Sequence, residues 1–98
     1  MRSGAEVVIV EAVRSAIGKR NGTLARTHPI DMLGPIQAEV LRRAGVGPSH
    51  VGQVVSGCID QVGAQAGNIA RSAWLAAGLP VTVPCTTVDS ACGSSQQR

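Results

Sequence analysis

Ten residues, Thr86-Thr87-Val88-Asp89-Ser90-Ala91-Cys92-Gly93-Ser94-Ser95, place a cysteine where a β-branched run gives way to small residues. Ala91 and Gly93 on either side allow a tight turn and close approach by a substrate. A helix beginning near Cys92 would point several unpaired backbone N–H groups at its sulfur and favour the thiolate, the nucleophilic form. Neighbouring amides also suit a developing oxyanion. The pattern has the physical logic of a strand–nucleophile–helix elbow. On chemistry alone a buried structural thiol fits the same residues, because most free cysteines are small core groups.

The other reactive side chains lack this setting. Cys58 closes one apolar run and Cys85 lies within another, so both read as structural. The three cysteines are separated by 27 and 7 positions (58 to 85, 85 to 92), with no Cys-x-x-Cys pair. His28 and His50 fall at no ligand spacing, so no metal site is expected. An odd count of cysteines without a secretory signal reads as reduced thiols in a cytosol-like compartment. His28 and His50 are not read as catalytic bases. Arg14 reads as a loop anchor, Asn68 as a helix cap, Arg71 as a packing or ion-pair residue, and Trp74 as core. Arg14-Ser15-Ala16-Ile17-Gly18 does not match a dinucleotide-binding loop, Gly63-Ala64-Gln65-Ala66-Gly67 has the wrong spacing, and no Walker A loop occurs.

These side chains need elements to hold them. Glu6 to Val13 is a continuous β-branched run and predicts a buried strand. A polar stretch with Asn21-Gly22 leads to Pro29 and a helix over Asp31 to Ala44, with Asp31 as N-cap or first-turn acid and Gly45 as its stop. Val51 to Ile59 reads as a second strand, Asn68 to Ala77 as a second helix, and Val81 to Val88, interrupted by Pro84, as a third strand. A third helix is expected after Cys92. Alternation of this kind means an α/β fold with a mainly parallel sheet.

Composition agrees and adds a constraint. The chain has 98 residues, 44% hydrophobic, with a net charge of +3 and Trp74 as its one aromatic. That apolar fraction is too high for a disordered chain. No apolar run approaches the roughly 20 residues of a membrane helix, and Met1 to Glu6 does not read as a secretory signal. Eight of the nine basic residues are Arg, with Arg14, Lys19, Arg20 and Arg26 in one stretch. Without stacking aromatics or a dense basic helix, this reads as a solvated loop rather than a nucleic-acid surface. A core so poor in large side chains, and with no disulfide-like spacing, predicts part of a larger fold.

Four ordered blocks resemble one family. Val8 to Gly18 resembles its opening strand and the A-x-R-T-P-I-G loop. Gly57-Cys58-Ile59-Asp60-Gln61-Val62-Gly63 with Asn68-Ile69-Ala70-Arg71 resembles G-x-V-x-Q-x-G…N-x-A-R. Gly78-Leu79-Pro80 with Val83-Pro84 resembles the loop into the third strand. Val88 to Ser95 resembles the nucleophile motif N-x-x-C-G-S-G. By these motifs the chain resembles the N-terminal part of a thiolase, an acetyl-CoA acyltransferase, from Glu6 onward. It departs at Ser15 and Ala16 for Thr-Pro, at Asp89 for Asn and at Ser95 for Gly. Val-Asp-x-x-Cys-Gly-Ser-Ser-Gln-Gln looks like the bacterial branch linked to lipid and steroid side-chain breakdown, which implies a bulkier acyl group than acetoacetyl.

The resemblance implies a thiolase-like fold, a mixed, mainly parallel sheet with helices on both faces. Residues 1–98 would supply only its first β-α-β-α-β part, an incomplete portion of the N-terminal domain. It implies Cys92 as the catalytic nucleophile on 3-ketoacyl-CoA, with coenzyme A and acyl-CoA thioesters as substrates and no metal or redox cofactor. Downstream histidines and a second, acid/base cysteine would complete the chemistry, so the 98 residues alone would not turn over. A cytoplasmic homodimer or homotetramer is implied, with no nucleic acid and no membrane. A 3-ketoacyl synthase type of condensing enzyme and a non-catalytic thiolase-like interaction domain are the alternatives.

Overall fold

The computed structural model describes residues 6–96. Helix α1 (Pro29–Ala44) is followed by strand β1 (Val54–Gly57), helix α2 (Ile69–Ala76) and strand β2 (Cys85–Val88), with short 3₁₀ turns between and after them. The α/β reading is correct: β1 and β2 form a parallel two-stranded sheet, joined by a crossover through α2. Val54 pairs with Cys85 and Gly57 with Val88. Helix α2 packs against the sheet and α1 packs against α2.

Local chemistry sets the helix ends. Proline is tolerated at the start of α1, where its missing N–H would have no intrahelical partner. His28, rather than Asp31, is the N-cap: its Nδ1 accepts the Ile30 N–H at 3.2 Å, while Asp31 sits in the first turn. Gly45 ends the helix in a left-handed conformation, the usual glycine C-terminal device. Near that end the Glu39 carboxylate accepts from Arg42 Nε at 2.8 Å and from Arg43 Nε at 2.7 Å. These hydrogen bonds, first Arg42 and then Arg43, lower the Glu39 carboxyl to about 2.

The core is small and centres on α2. Ile69, Ala70, Ala73 and Trp74 are buried with Val83, and Trp74 is the one large side chain among them. Its indole N–H donates to Pro80 C=O at 2.7 Å, which satisfies the polar end of a buried ring. Three further side chains bind α2 to its surroundings. Arg71 donates through Nη1 to Val83 C=O and through Nη2 to Val81 C=O, both at 2.7 Å. Asn68 caps α2 by accepting the Arg71 N–H at 3.2 Å and donates through Nδ2 to Cys85 C=O at 2.8 Å. Gln37 of α1 is buried and donates to Ala70 C=O at 3.3 Å.

One expected strand is absent, and one expected helix runs past the described residues. The strand expected over Glu6 to Val13 does not form, and Val7, Val8, Ile9 and Val10 are 66–88% exposed. A β-branched run becomes a strand only when neighbours take up its N–H and C=O groups, and among the described residues no strand pairs with it. Of the helix expected after Cys92, the described residues hold one 3₁₀ turn, Ser94–Gln96. The two strands and α2 fall inside the expected ranges but are shorter, because Pro84 and the glycine-bearing loops delay pairing, whereas α1 begins two residues before the expected Asp31, at Pro29.

Candidate functional site

Strand β2 delivers the chain into a compact loop, residues 89–96. Asp89 Oδ1 accepts the Ala91 N–H at 3.0 Å. Gly93 N–H donates to Ser90 C=O at 3.0 Å, Ser94 N–H to Ala91 C=O at 3.1 Å and Gln96 N–H to Gly93 C=O at 3.0 Å. The Ser94 hydroxyl accepts the Ser90 N–H at 2.8 Å and donates to Ala91 C=O at 2.7 Å. Ala91 takes a φ of +49°, a left-handed conformation uncommon for a residue with a Cβ. At the summit of this turn, Cys92 is exposed.

The loop rests on β1. Ser94 is buried, and a Cβ on Gly57 would lie 2.7 Å from both its Cβ and its carbonyl carbon. No residue other than glycine fits there without movement. Cys58 N–H then donates to Val88 C=O at 2.9 Å, closing the end of the sheet next to the loop.

Amides that follow Cys92 are engaged within the loop. The N–H groups of Gly93, Ser94 and Gln96 already bind carbonyls within the loop, and the amide of Cys92 takes no part in those bonds. Among the described residues a tight turn with Ala91 left-handed precedes Cys92. Its placement is also distinct from that of the other thiols. Cys58 and Cys85 are half-buried, and their sulfurs have hydrogen-bond partners: Gln65 Nε2 at 3.6 Å and Asp60 C=O for Cys58, Val83 C=O for Cys85.

Of the remaining candidates, Asn68 is a cap and Arg71 a packing residue that holds the 81–83 turn. Trp74 is core. Arg14 is exposed and donates to Ser15 C=O at 3.0 Å. None of these is brought to Cys92 by a hydrogen bond. Grooves of about 590 Å³, lined by Ala12 to Ala16 and Arg43, and about 340 Å³, lined by residues including Met32, Ile36 and Gln65, do not include Cys92. Among the described residues no group of three or more His, Cys, Asp or Glu side chains could hold a metal. No helix among them is long and apolar enough to cross a membrane.

Sequence reasoning missed Ser94, Gly57 and Thr87. The Thr87 hydroxyl accepts the Ala70 N–H at 3.1 Å and donates to Asn68 Oδ1 at 2.7 Å, joining β2 to the first turn of α2. A glycine at a strand end is a signal of close backbone approach, and it would have singled out Gly57.

Comparison with known proteins places this geometry. Residues 7–98 match the family described as thiolase, N-terminal domain. The chain is 51% identical over 92 residues to the steroid 3-ketoacyl-CoA thiolase FadA6 of Mycobacterium tuberculosis, covering 94% of this chain and 23% of that protein. It is 40% identical over 89 residues to the acetyl-CoA acetyltransferase of Cupriavidus necator, covering 91% and 22%. The crystal structure of the Bacillus anthracis acetyl-CoA acetyltransferase superposes with a TM-score of 0.78 at 40% identity, covering 89% of this chain and 22% of that one. The Acat5 thiolase from Ascaris suum, crystallised with coenzyme A, gives 0.79 at 27% identity, covering 88% and 22%. The chain thus spans about a quarter of the length of these relatives. Matched over nearly its whole length, the chain belongs to the thiolase family, within the N-terminal domain.

Proposed function

We propose that this chain is the first portion of the N-terminal domain of a longer acyltransferase, in which Cys92 is the nucleophile for thiolytic cleavage of a 3-ketoacyl-CoA. The observation that carries the reading is the exposed cysteine at the summit of a tight, left-handed turn next to the sheet. The Cys92 thiolate attacks the 3-keto carbon and forms a tetrahedral oxyanion. The Cys92 N–H, outside the loop's own hydrogen bonds, is a donor for that oxyanion. The bond between carbons 2 and 3 breaks, its electron pair stays on carbon 2, and protonation there releases acetyl-CoA. The acyl group is left as a thioester on Cys92. The thiol of free coenzyme A then displaces Cys92 and carries away the shortened acyl-CoA. In reverse the same steps form a carbon–carbon bond.

The acid and base for these proton transfers come from sequence beyond these 98 residues, so the chain by itself carries a nucleophile without turnover. Two lines of support favour a bulky acyl group: the Val88 to Gln97 pattern, and a relative at 51% identity that is named for steroid 3-ketoacyl-CoA. A homodimer or homotetramer in the cytoplasm, with no metal or redox cofactor, completes the reading.

The test is CoA-dependent cleavage by the full-length protein with Cys92→Ala, which is expected to abolish it. Retained cleavage by the pure variant overturns the assignment. Iodoacetamide at neutral pH should label Cys92 ahead of Cys58 and Cys85; equal labelling of the three argues against an activated Cys92.

A further inference from the structure

We infer that Asp89 and Ser94 are positioning residues for Cys92, holding Ala91 in the left-handed conformation that presents the sulfur. The inference rests on the reading of Cys92 as nucleophile. An alanine at φ +49° persists only where its surroundings over-determine it. Both polar groups of Ala91 are so held. Its N–H is taken by Asp89 Oδ1 at 3.0 Å, and its C=O by the Ser94 N–H at 3.1 Å and the Ser94 hydroxyl at 2.7 Å. The same hydroxyl accepts the Ser90 N–H at 2.8 Å, so one buried oxygen ties together the two residues immediately before Cys92. Neither side chain has a hydrogen bond to the Cys92 sulfur, so each acts through the backbone. Without either support, Ala91 relaxes toward ordinary φ and the sulfur shifts with it.

The two supports differ usefully. Ser94 is buried and seated on Gly57, while Asp89 is exposed, so its removal leaves the core intact. Asparagine at 89 keeps an oxygen for the Ala91 N–H and loses only the charge.

The experiment uses the full-length protein, with steady-state thiolysis and the rate of iodoacetamide alkylation at Cys92 followed by mass spectrometry. Because a displacement of about 1 Å at a reacting atom lowers rates by up to about a hundredfold, Ser94→Ala and Asp89→Ala are each expected to lower kcat about tenfold. KM should stay within about twofold and Cys92 alkylation should slow in parallel, since binding surfaces elsewhere are untouched. Asp89→Asn should recover most of what Asp89→Ala loses. Folded variants with kcat and alkylation rates near the parent's, alongside an inactive Cys92→Ala, overturn the inference and leave the nucleophile assignment intact. An Asp89→Asn as slow as Asp89→Ala overturns it for Asp89, because charge and not the acceptor would then matter. If Ser94→Ala fails to fold, the Asp89 pair decides. If Cys92→Ala still cleaves substrate, the functional reading fails, and the alkylation rates alone decide the positioning role.

Discussion

Gly57→Ala is the sharpest perturbation of the site that leaves its loop sequence unchanged. The new Cβ would lie 2.7 Å from the Ser94 Cβ and carbonyl carbon and 2.9 Å from its oxygen. Two of those three atoms are backbone, so a rotamer change cannot relieve the contact. Carbon atoms sit comfortably about 3.5 Å apart or more, so Ser94 must retreat by about 0.8 Å. Cys92 is two residues away, and its loop is tied to Ser94 by hydrogen bonds on both sides of Ala91. Overpacking of this kind costs about 1–3 kcal/mol, and a shift approaching 1 Å at a reacting atom lowers the rate by about ten- to a hundredfold. The assay is thermal unfolding together with kcat and Cys92 alkylation in the full-length protein. Gly47→Ala is the control: its Cβ meets nothing within 4 Å and its φ is −67°, so it should leave kcat unchanged and stability the same or slightly higher. A Gly57→Ala protein with parental midpoint, kcat and alkylation rate would refute the claim that Ser94 is seated on β1.

Further outcomes follow from the elements that carry the site. Gly34→Ala would put a Cβ 2.9 Å from Ala73 C=O and 3.3 Å from Ala77 Cβ; the strain between α1 and α2 should exceed the roughly 1 kcal/mol gained in helix propensity and lower the thermal midpoint. A raised midpoint would mean that the helices separate freely there. Asn68→Ala removes the α2 cap, the bond to Cys85 C=O and the Thr87 partner, and should cost about 2 kcal/mol in denaturant unfolding; a change below about 0.5 kcal/mol contradicts that role. Glu39 has a carboxyl held at about 2 in the folded chain against 4.5 ordinarily. Its contribution is therefore present above the ordinary value and fades as pH falls from about 4.5 toward about 2. The midpoint difference between parent and Glu39→Gln should shrink through that window and be smaller in high salt, because the pair is exposed; a difference that grows on acidification would show the sign to be wrong.

Much of the fold was legible because its signals are local. Helix α1 is announced by Pro29 and Gly45, and α2 by Asn68, Gly78 and the packed series Ile69, Ala70, Ala73 and Trp74. Strand-like residues are also local, but strand formation is not. Val54 to Gly57 finds Cys85 to Val88, whereas the stronger β-branched run at Val7 to Val10 finds no partner strand among the described residues. The site divides in the same way. Cys92 stands out by its small neighbours, and Asp89 by its place in the motif. Ser94 looks like one of several serines until the seat of its backbone and Cβ on Gly57 is seen, because that contact joins two segments far apart in the chain. The left-handed Ala91 carries no sequence signal of its own, because alanine seldom takes that conformation and the hydrogen bonds that hold it appear only in the folded loop.

The turn at Ala91 has a bearing on how the site forms. Each hydrogen bond to Ala91 begins and ends between Asp89 and Ser94. Closing so short a loop orders few residues and costs little entropy, and contacts of such low sequence separation form quickly. The geometry of the sulfur is therefore written into six consecutive residues and one distant glycine. Substitutions elsewhere on the chain that spare those seven residues thus leave the presentation of the cysteine unchanged.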